Sequence, residues 1–137
     1  MFAAVQLFAA AFALFVAQGV EAQVDNCARN YTVHLGDVCD TIAAQQGVSS
    51  YQLESVNNAT INADCSNLAL GMPLCLALVG KDCQPVHVVE SGDTCTSVAE
   101  AAGTTVATMV ANNPNLGSDC TALYPGLVVC VDSDVVV

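Results

Sequence analysis

The chain has 137 residues and a formal net charge of −11, set by 13 Asp and Glu against 2 Lys and Arg. Phosphate backbones and anionic lipid repel so acidic a surface, because binding there needs clustered Lys and Arg. Nucleic acid and membrane surfaces are thereby excluded as partners, and a neutral ligand is favoured.

The first segment is MFAAVQLFAAAFALFVAQGVEAQ, an apolar run from Leu7 to Ala17 followed by small residues and Val20-Glu21-Ala22. That layout predicts a secretory signal peptide over residues 1–22, cleaved after Ala22, although the amine of Met1 is its only positive charge. The run is shorter than the roughly 20 apolar residues a transmembrane helix requires. At the other end, Val131 to Val137 is too short, and too interrupted by Asp132 and Asp134, for a lipid-anchor signal.

All eight cysteines lie beyond the leader, at 27, 39, 65 and 75 and again at 83, 95, 120 and 130. Their spacings are 12, 26 and 10, then 12, 25 and 10, so one unit is used twice with a single-residue deletion. The same register aligns Val33 with Val89, Gly36-Asp37 with Gly92-Asp93, Gly47 with Gly103, Asn57 with Asn113 and Leu68 with Leu123. We place the first repeat at residues 27–77, a linker containing Gly80 at 78–82, the second repeat at 83–132 and a tail at 133–137. An even cysteine count in a small exported chain reads as disulfides. Zinc is disfavoured, because no cysteine pair has the short gap of a zinc knuckle and His34 and His87 do not align. Two bridges within each repeat are expected, with all three pairings open. No cofactor is called for.

Within a repeat, Tyr31-Thr32-Val33-His34 or His87-Val88-Val89-Glu90 alternates as a half-buried strand. Gly36-Asp37 or Gly92-Asp93 follows as a turn whose aspartate is expected to cap the next helix. That helix runs about Cys39 to Gln46 or Cys95 to Ala102 and stops at Gly47 or Gly103. A second helix starts with Ser49 and Gln52 as a capping box and Val48 and Leu53 as a staple; Thr105 and Met109 take the corresponding places. It ends near Asn57 or Asn113, and Leu74-Cys75-Leu76 or Val129-Cys130-Val131 forms the closing strand. The fold class is therefore α+β: two tandem β-α-α-β units, each an antiparallel strand pair covered by two short helices and stapled by disulfides. Val33, Ile42, Leu53, Leu68, Leu74 and Leu76 are the expected core of the first unit; Val89, Val98, Met109, Leu123, Val129 and Val131 that of the second.

The stretch from Tyr31 through Gly36-Asp37 to Ala43, then Gly47-Val48-Ser49, Leu53, Asn57 and Leu68 to Leu74, resembles the lysin motif (LysM) pattern. Val89 to Cys95, Met109, Asn113-Pro114, Leu123 and Gly126 resemble it a second time. The four-cysteine version is similar to secreted fungal LysM effectors and LysM-only proteins. The resemblance implies binding of chitin or its N-acetylglucosamine oligomers, with peptidoglycan the related alternative, and a ligand-bridged dimer as one outcome.

It also implies a shallow groove between the loop after the first strand and the loop after the second helix. Carried over by position, the candidates are Leu35, Gly36, Asp37 and Val38 with Asn58, Ala59, Thr60, Ile61 and Asn62 in the first repeat. In the second they are Ser91, Gly92, Asp93 and Thr94 with Pro114, Asn115 and Leu116. An acetamido group offers one donor, one acceptor and a methyl, so loop backbone groups can recognise it while Leu35, Ile61, Pro114 or Leu116 receive the methyl. Asn58-Ala59-Thr60 is an N-glycosylation sequon at the predicted groove, and a glycan there would block the first site and leave the second as the main binder. Asn30-Tyr31-Thr32 is a second sequon, outside the groove. His87, standing where the first repeat has Tyr31, is expected to be an edge substitution without a role.

Catalysis is not expected. Asp37, Asp93, Asp64 and Asp119 fall at turns, and Ser91 and Ser97 have no evident base. Two other readings stay open: a structural wall protein, and a secreted protein-binding inhibitor.

Overall fold

The computed structural model describes residues 24–137, so the expected leader lies outside the described residues. The first unit runs β1 (Cys27–Thr32), α1 (Cys39–Gln46), α2 (Ser50–Val56) and β2 (Pro73–Leu78). The second runs β3 (Val86–Val88), α3 (Cys95–Ala102), α4 (Val106–Asn112), a 3-10 turn (Pro114–Leu116) and β4 (Val128–Cys130). β1 pairs antiparallel with β2, and β3 with β4, so each repeat carries its own two-stranded sheet in the expected α+β arrangement.

Both first strands begin earlier than the alternation predicts. In β1 the half-buried row is Cys27, Arg29 and Tyr31, and a charged residue in that row hides the strand from a hydrophobic pattern. Arg29 is tolerated there because its guanidinium donates to the Gln46 carbonyl at 2.8 Å and to Asp82 at 2.7 Å. Val33 lies past the end of β1 yet prolongs its ladder, donating to Met72 and accepting from Gly71. Val89 does the same with Leu127 and Gly126.

α1 and α3 have the expected limits and end at Gly47 (φ 61) and Gly103 (φ 72). Their N-caps are Val38 and Thr94 rather than the aspartates before them. Ser49 caps α2 as expected, its hydroxyl accepting from the Gln52 amide at 3.1 Å. Gln52 does not complete a capping box. It is buried, and its side chain instead donates to the Leu76 carbonyl and accepts from the Cys83 amide, tying α2 to both ends of the inter-repeat segment.

α2 and α4 terminate on buried asparagines, Asn57 and Asn113. Asn57 donates to Leu53 and Cys75 carbonyls at 2.7 and 2.6 Å and accepts from the Cys75 amide at 2.8 Å. Asn113 repeats all three bonds with Met109 and Cys130. Each pins a helix end to the closing strand, at Cys75 within β2 and at Cys130 at the end of β4, so these residues belong to the frame.

All eight cysteines are bridged, as Cys27–Cys75, Cys39–Cys65, Cys83–Cys130 and Cys95–Cys120. The outer bridge of the first unit joins β1 to β2, and that of the second joins Cys83, three residues ahead of β3, to the end of β4. The inner bridge joins the start of the first helix to the loop after the second. Constraining the unfolded chain in this way contributes about 2–4 kcal/mol per bridge, which matters for units this small.

Five of the six expected core residues of the first unit are buried, while Leu68 packs against the core but stays partly exposed. In the second, Leu123 is the partly exposed one. The first core also contains Val128, a β4 residue, and Val86 of β3 packs against it. Val129 and Val131 face the second core instead. Successive residues of a strand point to opposite faces, so the second sheet is sandwiched between its own helices and those of the first unit. The two repeats thus share a joint and do not depend on the short connection alone.

Candidate ligand-binding loops and the inter-repeat cleft

The loop after β1 turns through Gly36 (φ 89), and its counterpart through Gly92 (φ 92), a left-handed backbone that favours glycine. Asp37 closes the turn backwards: its carboxylate accepts the His34 amide at 2.7 Å and the Tyr31 hydroxyl at 2.8 Å. Asp93 accepts the Glu90 amide at 2.9 Å and bonds His87 Nε2 at 2.7 Å. These contacts, the backbone amide foremost, hold both carboxyls below the usual aspartate range. The aspartates therefore brace their own turns and do not cap the following helices. His87 corrects the expectation of an idle edge residue, since it does for Asp93 what Tyr31 does for Asp37.

With the acids committed, the loop presents Leu35, 89% exposed, and Val38, 54% exposed. Gly36 is exposed beside them. In the second unit Ser91, Gly92 and Thr94 are exposed, although the Thr94 hydroxyl is spent capping α3 at 3.1 Å.

The loop after α2 exposes Asn58, Ala59 and Asn62, and half-buries Thr60, whose hydroxyl donates to Asn57. Ile61 is buried in the first core and Leu116 in the second, so neither is free to receive an acetyl methyl. Both were plausible from sequence because a loop leucine or isoleucine cannot be told from a ligand contact by type. Pro114 is exposed and Asn115 half-buried. In each unit the inner disulfide, Cys39–Cys65 or Cys95–Cys120, fastens the end of the first loop to the second. The two candidate loops of a unit are thus held on one side of it.

Two neighbouring clefts lie beside the first unit's loops. One, of 370 Å³, has Val38, Asp40, Asp64 and Ser66 on one wall and Tyr124 of the second unit on the other. The other, of 450 Å³, runs between Tyr51, Asn58 and Ile61 and the second unit's Pro114 and Asn115. Glu54 and Ala63 line both, making one continuous depression across the joint. Asp40 accepts the Tyr124 hydroxyl at 2.7 Å and also the Ser50 hydroxyl. Burial first, then Asp40, pushes the Glu54 carboxyl up to about 7 and the Tyr124 phenol above its usual range. Because Asp40 is committed to two hydroxyls, it and Glu54 do not form the free carboxylate pair that glycoside hydrolysis uses.

Sequence reasoning missed Tyr51, Glu54 and Tyr124. None is repeated: the matching positions hold Ala107, Val110 and Ala69. The signal available was departure from the repeat, since a joint between two copies is made where the copies differ.

Among the described residues, no helix is long and apolar enough to cross a membrane. The LysM domain pattern matches the chain twice, over residues 31–77 and 87–132. Secreted LysM effector LysM2 of Penicillium expansum is 30% identical over 119 residues, covering 81% of this chain and 34% of that protein. Secreted LysM effector LysM1 of Trichophyton rubrum is 27% identical, covering 77% and 51%, and Secreted LysM effector Blys2 of Beauveria bassiana is 28% identical, covering 77% and 31%. The chain thus spans from about a third to a half of the length of these curated relatives. With two pattern matches, each on an α+β unit bridged at the same positions, the chain belongs to the LysM family.

Proposed function

We propose that this secreted LysM protein is a non-catalytic binder of chitin-type N-acetylglucosamine oligomers, which it sequesters as fragments or covers on a fungal wall. The observation that carries the reading is the pairing of two loops by the inner disulfide of each unit, with exposed Leu35 and Val38 beside a glycine turn. Such a surface supplies backbone donors and acceptors for an acetamido group and apolar contact for its methyl. The net charge of −11 suits a neutral polymer and opposes polyanions. Names of relatives as secreted effectors favour a role in contact with a host.

Two sites held at a shared joint raise avidity on a polymer that spans both, and a long oligomer reaching beyond one molecule would bridge two into a dimer. The test is retention on chitin beads with competition by soluble oligomers. Release by oligomers of N-acetylglucosamine supports the reading. Retention without competition favours a structural wall protein, and no retention favours a protein-binding inhibitor.

A further inference from the structure

The cleft of 450 Å³ between the repeats contains a residue that a secretory pathway can modify. Asn58 stands in the sequon Asn58-Ala59-Thr60, is exposed, and lines that cleft. Facing it across the joint are Pro114 and Asn115, residues of the second repeat's own candidate loop. The first sugar of an N-linked glycan is N-acetylglucosamine, whose acetamido methyl suits the apolar surface that Pro114 and Tyr51 give this cleft. Its first two sugars are the β-1,4-linked disaccharide of chitin itself.

We propose that Asn58 carries an N-glycan whose first N-acetylglucosamine seats in the inter-repeat cleft against Pro114 and Asn115. The covalent step uses a polyprenyl-diphosphate-linked oligosaccharide as donor. Nδ2 of Asn58 forms the bond to C1 of the first sugar, the C1–O bond to diphosphate breaks, polyprenyl diphosphate leaves, and the proton lost from Nδ2 passes to the transferase's base. Once attached, the sugar is tethered beside the cleft at high effective concentration, so even weak contacts hold it there. The glycan then occupies the joint and restrains the Pro114–Leu116 loop of the second repeat. For the affinity of this surface toward acetamido sugars, the inference rests on the sugar-binding reading above.

The full chain is expressed in a eukaryotic secretory host, Asn58 occupancy is read by glycopeptide mass spectrometry, and hydrogen exchange is compared with Asn58→Gln, Thr60→Ala and Thr60→Ser. Occupied Asn58 is expected in the wild type and in Thr60→Ser, which keeps the sequon. In those two proteins the amides of residues 115–117 should exchange roughly tenfold more slowly than in Asn58→Gln and Thr60→Ala. Trimming the glycan enzymatically to its first N-acetylglucosamine should keep that protection. An unmodified Asn58, equal exchange in all four proteins, or protection lost on trimming overturns the inference. A protein that binds chitin without slowed exchange loses this inference alone, and one with slowed exchange that ignores chitin keeps it.

Discussion

The backbone amide of Val128 on β4 donates to the Ser50 hydroxyl on α2 at 3.1 Å, and Ser50 in turn donates to Asp40 on α1. Ser50 is fully buried, so the second repeat's closing strand has one of its amides satisfied by the first repeat. Replacing Ser50 by Ala leaves the Val128 amide and one Asp40 oxygen without that partner. We expect a loss of about 1–3 kcal/mol in thermal unfolding, with faster exchange at the Val128 amide. An unchanged midpoint would mean that the repeats do not support each other here.

Asn57 and Asn113 make the same three buried bonds in their respective units. Truncation to Ala removes all three side-chain bonds in each case and leaves the Cys75 or Cys130 amide without its acceptor, while the Met109 carbonyl keeps the Asn113 backbone amide at 3.0 Å, so Asn57→Ala and Asn113→Ala should each cost about 3 kcal/mol in denaturant titration. Neither side chain is free for ligand, so oligomer binding measured well below the unfolding temperature should survive in whichever variant remains folded.

Glu54 gives the protein a pH dependence of predictable sign. Its carboxyl is raised to about 7 in the folded state, by burial first and by Asp40 second, from an ordinary value of 4.5. Below 4.5 it is protonated whether the chain is folded or not; between 4.5 and 7 the unfolded chain releases its proton first, so stability falls as pH rises, and above 7 the loss is complete. Glu54→Gln should flatten the unfolding midpoint across this window and stabilise the protein at pH 8 by on the order of 1 kcal/mol, allowing for solvent screening. A wild-type midpoint that rises between these pH values would contradict the assignment.

Leu35 is the most exposed large apolar residue of the first loop, and burial of its side chain by a sugar is part of the proposed function. Leu35→Ala should weaken oligomer binding by about 1 kcal/mol, roughly fivefold, in titration calorimetry. Its thermal midpoint should stay put, because an exposed side chain contributes little to the folded state.

Cys39–Cys65 is expected to link stability to binding. The double variant Cys39→Ala, Cys65→Ala should lose about 2–4 kcal/mol and release the second loop from the first. Oligomer affinity at the first repeat should fall further than in a Leu35→Ala variant of unchanged stability, as read by calorimetry on both proteins.

Local chemistry carried much of the fold into view. The glycines at 47 and 103 and the caps Ser49 and Thr105 act within a few residues of themselves, so their roles survive without knowledge of the whole, and the cysteine register is visible because it is repeated, although the pairing it serves is long-range. The early start of β1 was hidden because Arg29 finds its partners at Gln46 and Asp82, far along the chain. Likewise, Asp37 bonds back to Tyr31 and His34, and a side chain with two possible directions cannot be assigned one from spacing.

By itself the amino-acid order determined a twice-used, disulfide-stapled α+β unit, because capping and turn chemistry act between neighbouring residues and the repeat is visible as a second copy of the same cysteine register. Only the tertiary structure decided that Ile61 and Leu116 are core, that Val128 belongs to the other repeat's interior, and that Asn58 opposes Pro114 and Asn115. Those facts depend on how one copy packs against the next, and the bonds of that packing are made by Asp40, Ser50 and Tyr124, where the repeats differ.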